Sequence, residues 1–255
     1  MSGTGPLGGG GDAGEETDIE RARIAQQLIA GVRGLPPQDV PDALCRACAG
    51  LLPAGLGLSV SVLGDDADTG VVLCASNDVS AHLAEIQFTL GEGPCREATG
   101  LRAPVFATDL TRPPDADRWP LFSVQAARAG ARAVFSAPLM AAGSPLGTLD
   151  LYRETSGSLG SDHVRTMLLV ADAVTLAVLA LDRGAADFEG VVAWLSGAES
   201  DREEVHQATG MIMMQLGVSA EEALLRLRAR AFTQGRTATQ LAKAIIARTT
   251  DLHDD

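Results

Sequence analysis

The chain has 255 residues and carries 33 acidic against 20 basic side chains, a net charge of −13, with 46% hydrophobic and 21% charged residues. Those proportions belong to a globular protein of one medium and one small domain, and the acidic surplus argues against nucleic-acid binding over the whole surface. Lys243 is the sole lysine, which excludes a Walker A loop, a lysine-dependent kinase or Schiff-base site in residues 1–242, and a phosphate receiver.

The chain opens MSGTGPLGGGGDAG, seven glycines in fourteen residues, with no basic stretch and no apolar core. This reads as a flexible tail over 1–18 and not as a secretory signal. Residues 19–32 have a helical pattern that stops near Gly34-Leu35-Pro36-Pro37. Asp39 precedes a second helix, whose apolar face is Ala43, Leu44, Ala47, Cys48, Leu51 and Leu52, before Pro53 and Gly55 end it. Strands are expected over 58–63, 71–76, 133–140 and 146–152, the last two joined by an Ala-Ala-Gly-Ser-Pro loop. Between the second and third strands, 91–119 is rich in Gly and Pro and is expected to be a long irregular loop lining a binding site. The block 19–183 is therefore α+β, an antiparallel sheet flanked by helices.

Helical periodicity returns at 161. Val164, Met167, Ala171, Val174, Val178 and Leu181 recur at 3-4-3-4-3 spacing. Two heptads fit a helix laid on its own sheet or a homodimer seam, and a homodimer seam over these six residues is expected. The apolar run 167–181 is short for a bilayer and contains Asp172, so no membrane segment is expected. A cytoplasmic location with reduced thiols follows as the expectation. Residues 184–200, with Val191, Val192, Trp194 and Leu195, read as a helical connector.

Residues 201–255 carry three helices marked by their ends. The first covers 201–216, with Val205, Ala208, Ile212 and Leu216 on one face and Gly217 as its left-handed cap. Ser219 with Glu222 and Thr237 with Gln240 are capping boxes that start the second and third. Their inner faces would be Ala223, Leu224, Leu227 and Ala231, then Leu241, Ala244, Ile245 and Arg248. A unit of about 50 residues is near the lower limit for folding alone, so it should lean on a neighbour.

Charge concentrates here. Residues 205–250 hold Arg226, Arg228, Arg230, Arg236, Lys243 and Arg248 against Glu221 and Glu222, a balance of +4 that leaves −17 for the rest. Both acids lie in the first turn of the second helix, where the helix dipole favours them. The other end is left to meet phosphates, and the acidic remainder is expected to hold this basic face in check.

The thiols suit packing better than metal chemistry. Cys45 and Cys48 share a helix face, but zinc needs two further ligands and none is near in sequence, so no metal is expected. Cys95 follows Gly91-Glu92-Gly93-Pro94 and precedes Arg96, whose charge would lower its pKa; it is the candidate sensory thiol. His82 stands alone as a weak haem-ligand candidate. No Ser-His-Asp or paired-carboxylate arrangement is visible, and no catalytic residue is assigned.

Residues 203–246, EEVHQATGMIMMQLGVSAEEALLRLRARAFTQGRTATQLAKAII, resemble an ANTAR domain, a three-helix RNA-binding module of transcription antiterminators. The likeness rests on Gln207-Ala208-x-Gly210, Glu222-Ala223, Leu227-Arg228, Ala231 and Arg236. The block 19–183 resembles a GAF domain through LGEGPC at 90–95, PVFATDL at 104–110, RWPLF at 118–122 and PLGTLDLY at 145–152. Together they imply a GAF-like sensor or dimerisation domain followed by a small all-α RNA-binding unit that acts on paired hairpins in nascent transcripts. RNA-contacting residues implied by the resemblance are His206, Gln207, Thr209, Gly210, Arg226, Arg228, Arg230, Arg236 and Lys243. Thr209 stands where the family often has lysine. No cofactor is implied, although the sensor block leaves room for an unidentified small molecule. Two alternatives follow: a DNA-binding regulator reading Thr237-x-x-Gln240-Leu241-Ala242 as the start of a helix-turn-helix, and a GAF-type thiol sensor or methionine sulfoxide reductase using Cys74 and Cys95.

Overall fold

The computed structural model describes residues 12–36, 39–63, 70–183 and 189–250, and their side chains except in 12–18, 70, 180–183 and 189–202. Helix α1 (Asp12–Val32) begins earlier than the expected 19, inside the stretch read as a tail; residues 1–11 of that tail lie outside the described residues. Helix α2 (Val40–Leu51) follows, with a proline in its first turn where the missing N–H costs nothing.

Five strands form one antiparallel sheet in the order β2-β1-β5-β4-β3: β1 (Gly57–Leu63), β2 (Gly70–Ala75), β3 (Val105–Ala107), β4 (Ala133–Ala141) and β5 (Ser144–Arg153). Four match the expected strands within a few residues. The β4–β5 connection is tighter than the expected five-residue loop. Ala141 pairs with Ser144, and only Ala142 and Gly143 turn the chain, both at positive φ, as a two-residue hairpin requires.

One sheet face packs on α1, α2 and α7 (Ser161–Arg183) around Leu28, Leu44, Leu58, Phe135, Leu149, Leu151 and Met167. The other carries α3 (Asp78–Leu90), α4 (Pro94–Leu101), α5 (Asp115–Arg118) and α6 (Pro120–Arg128) around Trp119, Phe122, Val134 and Tyr152. The stretch 91–119 is therefore not a long irregular loop: α4, β3 and α5 occupy most of it. Its family-like motifs are the means of ordering it. Glu92 Oε1 accepts from the N–H groups of Leu121 and Phe122 at 2.7 Å, satisfying donors that the start of α6 would otherwise leave orphaned. Asp115 Oδ2 accepts from the N–H of Thr108 at 2.6 Å and of Asp109 at 3.0 Å.

The heptad of α7 is spent within the domain. Met167, Ala171 and Val174 are buried and Val178 packs against the same core, facing the sheet and α1. This corrects the dimer seam: Val164 is half-buried, Leu181 has no described side chain, and the remaining positions are already covered by the chain itself.

Cys45 of α2 and Cys74 of β2 are disulfide-bonded, with Cα atoms 5.9 Å apart. Both are buried, because the apolar face of α2 lies on β1 and β2. The expectation of wholly reduced thiols is corrected, and Cys45 is no longer a metal-ligand candidate.

The C-terminal unit consists of α8 (Glu189–Leu216), α9 (Ala220–Thr233) and α10 (Ala238–Ile246). Helix α8 runs unbroken through the described part of the expected connector, 189–200, and the expected first helix, so the boundary near 200 lies inside a helix; residues 184–188, and the side chains of Val191, Val192, Trp194 and Leu195, lie outside the described residues. Gly217 is left-handed, and Thr237 with Gln240 makes both capping-box bonds, as expected. At the start of α9 only half of the expected box forms: Ser219 Oγ accepts from the Glu222 N–H, while the Glu222 carboxylate turns to Arg226 one helical turn on. Val205, Ala208, Ile212, Ala223, Leu227, Ala231, Leu241, Ala242 and Ile245 form the core. Arg248 is not on an inner face: it lies past the end of α10 at positive φ and is exposed. No helix among the described residues is long and apolar enough to cross a membrane.

Candidate functional site

Two features face each other across α3: a cavity in the sheet domain and the basic surface of the C-terminal unit. Sequence reasoning did not find α3. Its local signals were present, with Asn77 and Ser80 in a reciprocal capping box and Gly91 as a left-handed C-cap at φ 67°. Tyr152 fixes the helix start by donating its hydroxyl to Asn77 Oδ1 at 3.1 Å.

The cavity lies between α3, α4 and strands β1, β2 and β5, and its lining includes Glu85, Phe88, Cys95, Arg96, Thr99 and Thr148. Gln87 Oε1 accepts the Cys95 N–H at 2.8 Å, and Gly93, at φ 136°, lets the Gln87 side chain approach where a Cβ would collide with it. Behind the wall, Thr148 donates its hydroxyl to Asp150 Oδ2 at 3.0 Å, while Oδ1 of the same buried carboxyl has no hydrogen-bond partner. Burial pushes the Asp150 carboxyl up to about 6, against the opposing pull of Ser136 and Thr148.

Cys95 differs from its sequence reading. Burial, and then the charge of Asp150, hold its thiol well above the usual range, outweighing Arg96. A neutral thiol is a poor nucleophile, so the activated sensory thiol is corrected to a protonated cavity-wall group. Cys74 is tied to Cys45, so the Cys74–Cys95 reductase pair does not assemble. Cys48 is buried and pushed up to about 12 by desolvation. His82 lies elsewhere, in a cleft with Phe232 and Arg236.

The RNA candidates divide into two groups. His206 and Gln207 are exposed on α8, and Gln207 and Gly210 line an open groove with Met211, Met214, Gln215 and Arg248. Met214 is 87% exposed, the most solvent-facing large apolar side chain among the described residues. Thr209 does not join them. It is buried and donates its hydroxyl to the Val205 carbonyl at 2.7 Å within α8, which corrects its assignment as a contact. The methionines of α8 read from the sequence as adaptable packing or an RNA-facing patch, and Met211 and Met214 do line the groove; Arg248 was missed as a groove residue because the groove forms only where the end of α8 meets the residues after α10.

The second group stands on or near α9 and faces partly inward. Arg226 is exposed and pairs with Glu222 at 2.7 Å, one helical turn away. Arg230 is half-buried. Lys243 pairs with Glu204 of α8 at 3.3 Å and stays half-exposed. Arg236 donates to the Gln240 carbonyl at 2.6 Å and lines the cleft shared with α3. Arg228 turns toward the sheet domain, its guanidinium 4.9 Å from the centroid of the Phe88 ring on α3. Phe88 itself packs against the core of the C-terminal unit. Beside it, Thr89 Oγ1 accepts the N–H of Ala238 at 2.9 Å.

Comparison with known proteins agrees with this division. The GAF domain profile matches residues 35–179 and the ANTAR domain profile residues 194–246. No curated protein matches the chain. Among solved structures, it is similar to a GAF domain from a Coxiella burnetii phosphoenolpyruvate-protein phosphotransferase (15% identity, 66% of this chain and 98% of that one, TM-score 0.49). It is also similar to the phycocyanobilin-bound GAF domain of a cyanobacterial phytochrome (14%, 66% and 97%, TM-score 0.47). A third is the type II free methionine-R-sulfoxide reductase of Thermoplasma acidophilum (13%, 63% and 93%, TM-score 0.38). The chain belongs to the GAF domain family and couples its GAF domain to a C-terminal ANTAR domain, the architecture of a signal-transducing regulator.

Proposed function

We propose that this protein is an RNA-binding regulator that acts by transcription antitermination on paired hairpins, with the GAF domain as its signal-receiving part. The observation that carries the reading is the open groove of the ANTAR unit. Gln207 offers an amide edge, Met211 and Met214 an apolar floor, and Arg248 a charge at the rim. Such a surface suits unstacked loop bases next to phosphates. The surplus of six basic residues over two acids in 205–250, in a chain that is acidic elsewhere, supports a salt-sensitive attraction to phosphates, with Arg226 and Lys243 already paired to Glu222 and Glu204.

The reading places the chain in the cytoplasm with nascent transcripts, as a binding protein and not an enzyme. A homodimer would suit paired hairpins, with one ANTAR unit for each, but α7 does not supply its seam. The DNA-binding alternative loses ground because α10 ends at Ile246 and no recognition helix follows among the described residues.

Titration of a fluorescent two-hairpin RNA with the full chain at several salt concentrations tests the proposal. Binding should weaken as salt rises. Arg248→Ala should lower affinity and flatten the salt slope by about 0.7–0.9, one phosphate contact. Gln207→Ala should lower affinity with the slope unchanged. No binding to any paired-hairpin RNA would overturn the function, and unaltered binding by both variants would overturn the groove.

A further inference from the structure

We infer that the α3 face of the GAF domain and RNA compete for Arg228, so that the docked arrangement is a closed state in which part of the ANTAR surface is withheld. The inference rests on the RNA-binding reading above.

Arg228 is held at α3 by two separate attractions. Its guanidinium lies over the Phe88 ring, 4.9 Å from the centroid, at cation–π distance. It also reaches the C-terminal end of α3, where a Cβ on the cap residue Gly91 would stand 3.9 Å from Arg228 Nη1. The last carbonyls of a helix carry partial negative charge that favours a cation there. A guanidinium placed this way has one face covered and is half-buried, which leaves less of it for a phosphate or a base. To the expected restraint by the acidic remainder this adds something local: one aromatic ring and one helix end.

The ANTAR unit is latched at a second point. Ala238 is the first residue of α10, and its N–H has no acceptor within that helix. Thr89 Oγ1 takes this donor at 2.9 Å, although 149 residues separate the two. Thr89 and Ala238 are both buried, so undocking exposes an amide that nothing else in α10 would cap. Thr89 and Phe88 are neighbours on α3, and Phe88 also lines the GAF cavity beside Cys95 and Thr148. Whatever fills or reshapes that cavity therefore meets the residue that carries Arg228.

The test uses the full chain and the two-hairpin RNA. Phe88→Ala should raise RNA affinity about threefold to tenfold, the scale of one lost cation–π contact. Arg228→Ala should cost little affinity in the wild-type chain and several-fold more in the Phe88→Ala background, because only the open state uses the arginine. Thr89→Val, close to isosteric and lacking the acceptor, should also raise affinity, and it guards against a Phe88 variant that fails to fold. Hydrogen exchange gives an RNA-independent readout: the Ala238 amide should be protected in the wild-type chain and exchange faster in both variants. Unchanged RNA affinity in folded Phe88→Ala and Thr89→Val, or an equal cost of Arg228→Ala in both backgrounds, would overturn the competition. Absence of RNA binding by the wild-type chain and every variant, with Ala238 protected in the wild-type chain and exchanging faster in Thr89→Val, would instead count against the RNA reading itself.

Discussion

Thr148 donates its hydroxyl to Asp150 Oδ2 at 3.0 Å from two residues away on β5, while Oδ1 of the buried carboxylate has no hydrogen-bond partner among the described residues. Burial raises the folded-state pKa to about 6, whereas an unfolded aspartate titrates near 3.9. Below about pH 4 both states are protonated and the group costs nothing. Between about 4 and 6 the unfolded chain ionises first, so stability falls as pH rises; above 6 the penalty stays constant at about 2–3 kcal/mol. Asp150→Asn should stabilise the chain at neutral pH by part of that amount, with Ser136 directly opposite on β4 to accept from the amide. Urea melts of both chains at pH 4, 5, 6 and 7.5 check it. A wild-type pH slope that persists in the variant would disprove the role of Asp150.

The bond between Cys45 and Cys74 closes a loop with a sequence separation of 29 and ties α2 to the strand at the sheet edge. Chain-entropy reasoning gives such a link about 3–4 kcal/mol of stabilisation, through the unfolded state. Cys45→Ala with Cys74→Ala should lower the melting temperature substantially, and a thiol reductant should do so only in the parent chain. Differential scanning fluorimetry with and without reductant makes the comparison. A parent chain indifferent to reductant would show that the bond carries no such weight.

These elements differ in how far their determinants are local. The starts of α9 and α10 were legible because Ser219, Thr237 and Gln240 close their bonds within three residues. Most strands and the ANTAR core were legible from periodicity for the same reason. Helix α3 was not, because its apolar residues serve two partners: Leu83 and Ile86 join the GAF core while Phe88 joins the ANTAR core, so no single stripe forms. The spacing on α7 showed correctly that one face is buried, but spacing carries no information on what buries it. Cys45 and Cys74 meet only once α2 lies on β2, which no local pattern announces.

Thr209 offers a test of that local-versus-tertiary distinction on the ANTAR surface. The resemblance places it among RNA contacts, yet it is 8% exposed and its hydroxyl is occupied by the Val205 carbonyl. Thr209→Ala should leave RNA affinity within about twofold, since no contact is removed, and should change stability by well under 1 kcal/mol, because a back-bond within a helix adds little. Gln207→Ala, two positions away but exposed in the groove, should weaken RNA binding in the same titration. Loss of affinity in Thr209→Ala equal to that in Gln207→Ala would contradict the burial argument.

Cys95 closes the comparison between sequence and environment. Next to Arg96 in the sequence it looks activated, but in the folded chain desolvation comes first and the Asp150 charge second, and both favour the thiol over the thiolate. Thiol chemistry runs through the thiolate, so a raised pKa slows it. Cys95, half-buried on the cavity wall, should therefore resist iodoacetamide in the native chain at pH 7.5 and react readily in denaturant, with the fully buried Cys48 behaving alike. Peptide-level mass spectrometry after timed alkylation separates the two sites. Asp150→Asn should speed labelling of Cys95 and leave Cys48 unchanged, because only Cys95 feels that carboxylate. Rapid native-state labelling of Cys95 would restore the reactive-thiol reading, and equal acceleration at both cysteines would mean that the substitution loosened the fold instead of removing a charge.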